Sequence, residues 1–217
     1  MKNYIILSAA ICLIACTEKK SEPIKAQNEV IADSITKSDT ITKTLLPKQT
    51  DSKLLIVPGT SIGLTALGQN AESLAVLGQP DLSDAAMGKA WMSWYSKKTD
   101  DKGFKSELMI CTGYKDSEMK EKVIKEIRIN SPDFKTGNGN GSGQTLETIQ
   151  HEFPNLKLVS AYNNTALKTE VQIYDEVNDG IAFEIQQHGK CIAVIVHPKQ
   201  KPLSNEYIVL HPELTRL

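Results

Sequence analysis

A short internal repeat is the feature that most constrains the fold of this chain. The segment Gly68-Gln69-Asn70-Ala71-Glu72-Ser73-Leu74 aligns with Gly143-Gln144-Thr145-Leu146-Glu147-Thr148-Ile149, and the two share their glycine, glutamine, glutamate and final aliphatic position. Self-similarity of this kind is typical of a duplicated structural unit. Two copies of one unit are therefore expected, one after the other along the chain.

Each copy is predicted to begin with a short helix. Asn70 and Thr145 are typical N-caps, and each is followed two residues later by a glutamate that favours the first helical turn. Each helix is expected to stop at a proline turn, at Pro80 and Pro154. Apolar residues recur at helical spacing in both copies: Ala71, Leu74 and Leu77 in the first, and Leu146, Ile149 and Phe153 in the second.

Three strand-like runs follow each helix in the same order. Their alternation of apolar and polar side chains, as at Ile181, Phe183 and Ile185, is typical of half-buried strands. The sequence therefore predicts an α+β fold of two tandem repeats, each a short helix packed on an antiparallel β-meander. The expected strands cover residues 91–96, 104–112 and 123–130 in the first copy, and residues 168–174, 181–186 and 191–196 in the second.

The repeats occupy only part of the chain. The first is assigned to residues 54–131 and the second to residues 132–198, and a tail at 199–217 is expected to add an edge strand at 207–210. Residues 16–53 lack aromatic side chains from position 17 onward and mix charges of both signs. Such a segment cannot bury enough surface to offset its ordering entropy, so it is predicted to be a flexible tether.

The N-terminus has the anatomy of a secretory signal. Lys2 precedes an apolar run over residues 4–15, which is shorter than the ~20 residues needed to cross a membrane core. The end of this run, Leu13-Ile14-Ala15-Cys16, resembles the bacterial lipobox. That resemblance implies cleavage after Ala15 and lipidation of Cys16, whose acyl chains would anchor the protein in the bilayer. The expected location is the cell envelope, and the absence of an Asp after Cys16 favours the outer membrane.

The pattern of the first copy also resembles a known family. A glycine-containing loop, a short helix, Leu77-Gly78-Gln79-Pro80-Asp81 and a first strand with Trp94 and Tyr95 are similar to the BLIP/SmpA-type modules, single in BamE-like lipoproteins and tandem in the β-lactamase inhibitor protein. The resemblance spans most of residues 55–198. It implies a module that binds other proteins, and it transfers no individual partner-binding residue.

Two cysteines remain in the globular part. Cys111 and Cys191 lie in different predicted strands, one in each copy. In an exported protein they either form a disulfide or remain as buried thiols, because a free cysteine behaves as a small apolar residue.

Aromatic side chains are the best candidates for contacts with a partner. Trp91, Trp94, Tyr95 and Tyr174 are the four residues assigned to this role. Period-two geometry places Trp91 and Tyr95 on one face of their strand and Trp94 on the other. Either one of these faces is open and offers an anchor for a protein, or both are covered within the fold.

No motif in the sequence indicates catalysis or a cofactor. The glycine- and asparagine-rich loop at 136–143 lacks the lysine of a phosphate-binding loop and is predicted to be a flexible connector. The four histidines lack zinc-site spacing, and His197 is expected to be an ordinary residue at a strand end. The acidic pairs Asp100-Asp101 and Asp175-Glu176 are expected to be solvated carboxylates in hairpin turns.

A non-enzymatic module that binds an envelope protein is therefore the favoured function, with no cofactor and no metal. A formal net charge of −1 gives no basic footprint for nucleic acid. The alternative is a small-ligand binder or a hydrolase that uses a cleft between the two repeats. A deep polar pocket would favour the alternative, whereas a sheet with exposed aromatic side chains would favour the binding module.

Overall fold

The computed structural model describes residues 51–204 and the backbone of residues 215–216. Cys16, the signal segment, the tether up to residue 50 and the edge strand expected at 207–210 lie outside the described residues. Within the described part, none of the helices has the length and apolarity that crossing a membrane requires.

Nearly half of the described residues lie in strands, and these strands form two β-sheets. The strands in chain order are β1 Leu55–Val57, β2 Ser61–Ile62, β3 Thr65–Ala66, β4 Leu82–Ala86, β5 Lys89–Thr99, β6 Lys105–Tyr114, β7 Lys122–Ile129, β8 Lys135–Thr136, β9 Lys157–Asn164, β10 Thr169–Glu176, β11 Ile181–Gln186, β12 Cys191–Val196 and β13 Thr215–Arg216. The small sheet has the order β3-β2-β1-β8, with β1 and β8 parallel.

The large sheet has the order β13-β9-β10-β11-β12-β7-β6-β5-β4 and is antiparallel throughout. Strands β4 to β7 form one meander and β9 to β12 form a second. The last strands of the two meanders, β7 and β12, pair directly, with Ile129 opposite Val194 and Arg128 opposite Ile195. We call this β7–β12 pair the seam. Because it is a hydrogen-bonded strand pair, the sheet itself runs unbroken from one meander into the other.

The predicted α+β fold of two tandem helix-on-meander repeats is wrong, because the regular structure of the described chain is mostly β-strand and both meanders belong to one continuous sheet. Its helices are two 3₁₀ segments, Ser52–Leu54 and Ala71–Leu77, and one helix of seven residues, α1 (Leu146–Glu152). The predicted strands are present, but each meander contains a fourth strand. Strand β4 was missed because Asp and Ala, which form most of it, are depleted in strands. Strand β9 was missed because its apolar residues do not alternate regularly.

Both predicted N-caps are confirmed. The Asn70 side chain accepts a hydrogen bond from the Glu72 amide at 2.8 Å, and Thr145 Oγ1 accepts one from the Thr148 amide at 3.3 Å. The first segment nevertheless winds as a 3₁₀ helix and ends at Gly78, whose φ of +79° disfavours other residues. A pattern of seven residues does not distinguish a 3₁₀ helix from an α-helix.

The main core lies on one face of the large sheet. Leu74 of the first helix, Phe153 at the end of α1 and Ile56 of the small sheet all pack there against the sheet residues. The rings of Phe153 and Phe183 lie 5.4 Å apart at 47°. The side chains of Ile181, Phe183 and Ile185 point into this core, as their alternation predicts.

The glycine-rich loop is folded, contrary to the prediction of a flexible connector. Asn140 and Ser142 are buried, and the backbone amide of Thr136 donates to the Asn140 carbonyl at 2.8 Å. The Asn140 side chain donates to Glu152 of α1. The loop glycines have the role expected of them, since Gly139 and Gly143 adopt φ of +89° and +94°.

Candidate functional site

The face of the large sheet opposite the main core carries a row of buried polar side chains, and we call it the polar face. Alternation along the strands places these residues there, because their neighbours in sequence point into the main core. Its buried polar members are Ser93, Glu126, Arg128, Ser160, Tyr162, Asp175, Glu184 and His197.

Arg128 is at the centre of this face. Its Nε and Nη2 atoms donate to the two carboxylate oxygens of Glu184 at 2.6 and 2.7 Å, and Nη1 donates to Glu107 at 3.0 Å. Burial alone would lower the pKa of Arg128, but the two carboxylates and Tyr162 outweigh it and raise the pKa. The guanidinium is therefore a permanent cation held by two acids.

The network continues to both sides of Arg128. The hydroxyl of Tyr162 on β9 donates to Glu184 at 2.9 Å, and the hydroxyl of Ser93 on β5 donates to Glu107 at 2.7 Å. Burial, followed by the charge of Glu184, raises the pKa of Tyr162. Five side chains on β5, β6, β7, β9 and β11 are thus joined across the seam. Charge-assisted bonds of this kind hold their members in one geometry.

A second cluster lies on the same face. Nε2 of His197 is 2.9 Å from Asp175 Oδ1, and the backbone amide of Leu203 donates to Asp175 Oδ2 at 2.9 Å. Asp175 and His197 are each 1% exposed, so the predictions of a solvated turn carboxylate and an ordinary strand-end histidine are wrong. Asp175 belongs to β10, and so does Glu176, which is buried too. The segment after β12 is thereby fixed against the polar face.

Glu126 is the most perturbed acid of the polar face. Burial, with the charges of Asp175 and Glu184, raises its pKa to about 8, and a backbone hydrogen bond from Ser204 acts in the opposite direction. Its carboxyl group is therefore mostly neutral at pH 7. Atom Oε1 is buried and has no hydrogen-bond partner among the described residues.

The disulfide alternative for the two cysteines does not hold in the structure. Cys111 on β6 and Cys191 on β12 are both buried free thiols. Strand β7 lies between their strands, so their Cα atoms are at least ~9 Å apart, beyond disulfide range. Burial raises the pKa of Cys111 well above its ordinary value and that of Cys191 to about 12. Neither supplies the thiolate that nucleophilic chemistry requires.

The four predicted binding aromatics divide into two pairs. Trp94 and Tyr174 pack against the main core, and the Trp94 indole donates to the Gly78 carbonyl at 3.2 Å. Trp91 and Tyr95 lie on the other side of β5, on the polar face, and both are half-buried. Trp91 and Tyr95 are therefore the pair that does not pack against the main core.

Leu82 completes a small apolar surface with these two rings. Leu82 lies directly opposite Ser93 and is 47% exposed. Ser93 points to the same face of β5 as Trp91 and Tyr95 and lies between them. We call Leu82, Trp91 and Tyr95 the aromatic platform. Sequence reasoning missed Leu82 because β4 was not predicted. The signal that could have found it is its position beside the proline turn, in register with the aromatic strand.

Acidic groups border the aromatic platform. Asp81 Oδ2 accepts the backbone amide of Tyr95 at 2.7 Å. Burial, Glu107 and Asp81 raise the pKa of Tyr95, so the phenol stays neutral. On the edge strand, Asp84 Oδ1 accepts the amide of Ala85 at 2.8 Å, and no described strand pairs with the outer side of β4. Asp84 thus covers one backbone donor of an otherwise open edge.

The described residues contain no group of three or more His, Cys, Asp or Glu side chains that could hold a metal ion. No family model matches the chain, no curated protein matches its sequence, and no solved structure matches its fold. The lipobox resemblance and the resemblance to BLIP/SmpA-type modules therefore stay predictions.

Proposed function

We propose that this chain is a lipid-anchored, non-enzymatic protein of the bacterial cell envelope that holds a partner protein on its aromatic platform. The observation that carries the proposal is the position of Leu82, Trp91 and Tyr95, side by side on one face around the buried Ser93. Aromatic side chains dominate the energy of many protein interfaces, because they bury a large area at a small entropic cost.

The buried network beneath the platform also supports a role in binding a protein. Ser93 is held by Glu107, and Glu107 by Arg128, so β5 is tied to the centre of the sheet. A surface that is fixed before binding loses less conformational entropy on association. Rigid support of this kind favours recognition of a partner's surface, whereas a catalytic group would have to stay accessible.

The anchor belongs to the proposal as well. Lipidation of Cys16, together with a tether over residues 16–53, would suspend the platform about 35 Å from the bilayer by random-coil scaling. Labelled-lipid incorporation tests this part: wild type should be labelled and Cys16→Ala should not. Equal labelling of both would remove the anchor from the proposal.

The binding part is tested by a matched pair of substitutions in the full chain. Leu82→Asp places a charge on the platform, whereas Val76→Asp places the same charge on the first helix, where the side chain is 86% exposed. After solubilisation from its own membranes, wild type and Val76→Asp should retain the same captured protein. Leu82→Asp should retain at least about tenfold less, the loss of one anchor of ~1.4 kcal/mol. Equal retention by all three chains would contradict the proposal.

A further inference from the structure

A groove of about 700 Å³ opens on the main-core side of the first meander, away from the polar face. It lies between the start of the first helix and the connection from β6 to β7. This volume is within the usual range for small-molecule sites. The groove is lined by Asn70, Ala71, Glu72, Ala90, Met92, Thr112, Tyr114 and residues 119–122.

The inner surface of the groove is mostly apolar. Ala90 and Met92 of β5 and Thr112 of β6 form its floor, and Tyr114 adds a ring. Gly88 lets that ring lie against the backbone, because a Cβ atom on Gly88 would lie 2.5 Å from Tyr114 Cε2. A flat apolar group could therefore stack beside the Tyr114 ring within the groove.

Among the described residues at the rim of the groove, some charged side chains form ion pairs and others do not. Glu121 pairs with Lys115 at 3.0 Å and Lys120 with Glu118 at 2.8 Å. The Lys122 ammonium lies 5.5 Å from the centroid of the Tyr114 ring, and no described carboxylate forms an ion pair with it. The Lys122 ammonium, which lies over an aromatic ring and beside an apolar floor, is thus available to bind an anion.

We propose that this groove binds a small carboxylate with an apolar, preferably aromatic, body, whose carboxylate pairs with Lys122. The ring of such a ligand would stack beside Tyr114 and over Met92. The site lies apart from the aromatic platform, so it stands independently of the proposed partner protein. An amine is disfavoured, because the remaining acid of the groove, Glu72, is exposed and solvated charges pair weakly.

The methionines provide built-in reporters for a test. Met92 and Met119 line the groove, whereas Met87 is fully exposed and Met109 is buried outside it. The full chain, labelled with ¹³C at the methionine methyl groups, is placed in nanodiscs and titrated with 3-phenylpropionate. Signals of Met92 and Met119 should shift together, while those of Met87 and Met109 stay in place. Empty nanodiscs control for partition of the probe into lipid.

Analogues and variants make the test specific. The amide and amine analogues, 3-phenylpropionamide and 3-phenylpropylamine, should bind at least about tenfold more weakly than the carboxylate. Lys122→Gln should weaken carboxylate binding by a similar factor, Lys122→Arg should retain it, and Lys102→Gln in the β5–β6 turn should leave it unchanged. An unshifted Met109 signal shows that each variant is folded. Absence of the Met92 and Met119 shifts, equal binding of the amine, or unchanged binding by Lys122→Gln would overturn the proposal.

Discussion

Arg128 and Glu184 form a bidentate ion pair across the seam between the two meanders, with nitrogen–oxygen distances of 2.6 and 2.7 Å. Strand β12 lies between their strands, so the guanidinium reaches over one strand to meet its carboxylate. The pair therefore joins the two halves of the sheet through side chains, in addition to the backbone bonds of β7 and β12.

Arg128→Met should destabilise the fold strongly, because it leaves the buried Glu184 carboxylate without its cation. We expect a loss of about 3–5 kcal/mol in the free energy of unfolding, measured by chemical denaturation. Lys120→Gln, which breaks an exposed pair, should cost less than about 1 kcal/mol. The double variant Arg128→Met/Glu184→Leu should recover much of the loss. Equal losses of stability in Arg128→Met and Lys120→Gln would show that burial of the network does not matter.

Glu126→Gln should change how stability depends on pH. The pKa of Glu126 is about 8 in the folded state and near 4.3 in an unfolded chain, so the unfolded state releases this proton first. The contribution of Glu126 to the free energy of unfolding is complete below about pH 4.3. It then falls by up to about 1.4 kcal/mol per pH unit until the pH passes 8. Glu126→Gln should remove this slope between pH 5 and 8, whereas Glu118→Gln at an exposed site should preserve it. An unchanged slope in Glu126→Gln would count against a neutral buried carboxyl.

Asp175→Ala should release the segment that follows β12. The substitution leaves the Leu203 amide and Nε2 of His197 without a buried partner, each at a cost of about 1–3 kcal/mol. Hydrogen exchange should become faster at Leu203, while Asp101→Ala in an exposed turn should leave that exchange rate unchanged. Unaltered protection of Leu203 in Asp175→Ala would mean that the carboxylate does not hold the segment.

Cys111 and Cys191 should remain unmodified by a maleimide in the folded protein, because both are buried and their thiolate forms are disfavoured. Both should react once the chain is unfolded without a reducing agent, as mass spectrometry of the peptides would show. Recovery of a disulfide-linked pair of peptides containing these two residues would refute the assignment as free thiols.

The sequence predicted the strands better than the helices or the polar face. Regular alternation, as at Ile181 and Phe183, marks a strand with one apolar side whatever it packs against. The first helix was placed correctly by its Asn70 cap, but a cap does not set the helical type. The polar face was missed, because Arg128 pairs with Glu184, which is far away in sequence, and local pattern rules treat such charged residues as solvated.

The candidate site was predicted in part. Alternation assigns Trp91 and Tyr95 to one face of β5 and Trp94 to the other, but the pattern does not show which face packs against the main core, and it does not reveal the register of β4 against β5. Leu82 depends on that register and could not be found from sequence spacing alone.

Site-specific photocrosslinking tests the proposed binding surface most directly. Leu82 is replaced by the photoreactive residue p-benzoylphenylalanine in the full chain, and the same residue is placed at Val76 as a more exposed control on the opposite side of the sheet. On irradiation in intact cells, the chain labelled at position 82 should form a discrete crosslinked complex, which Tyr95→Ala weakens, and the chain labelled at position 76 should not. Absence of a complex at position 82, or the same complex from both positions, would contradict the aromatic platform as the binding surface.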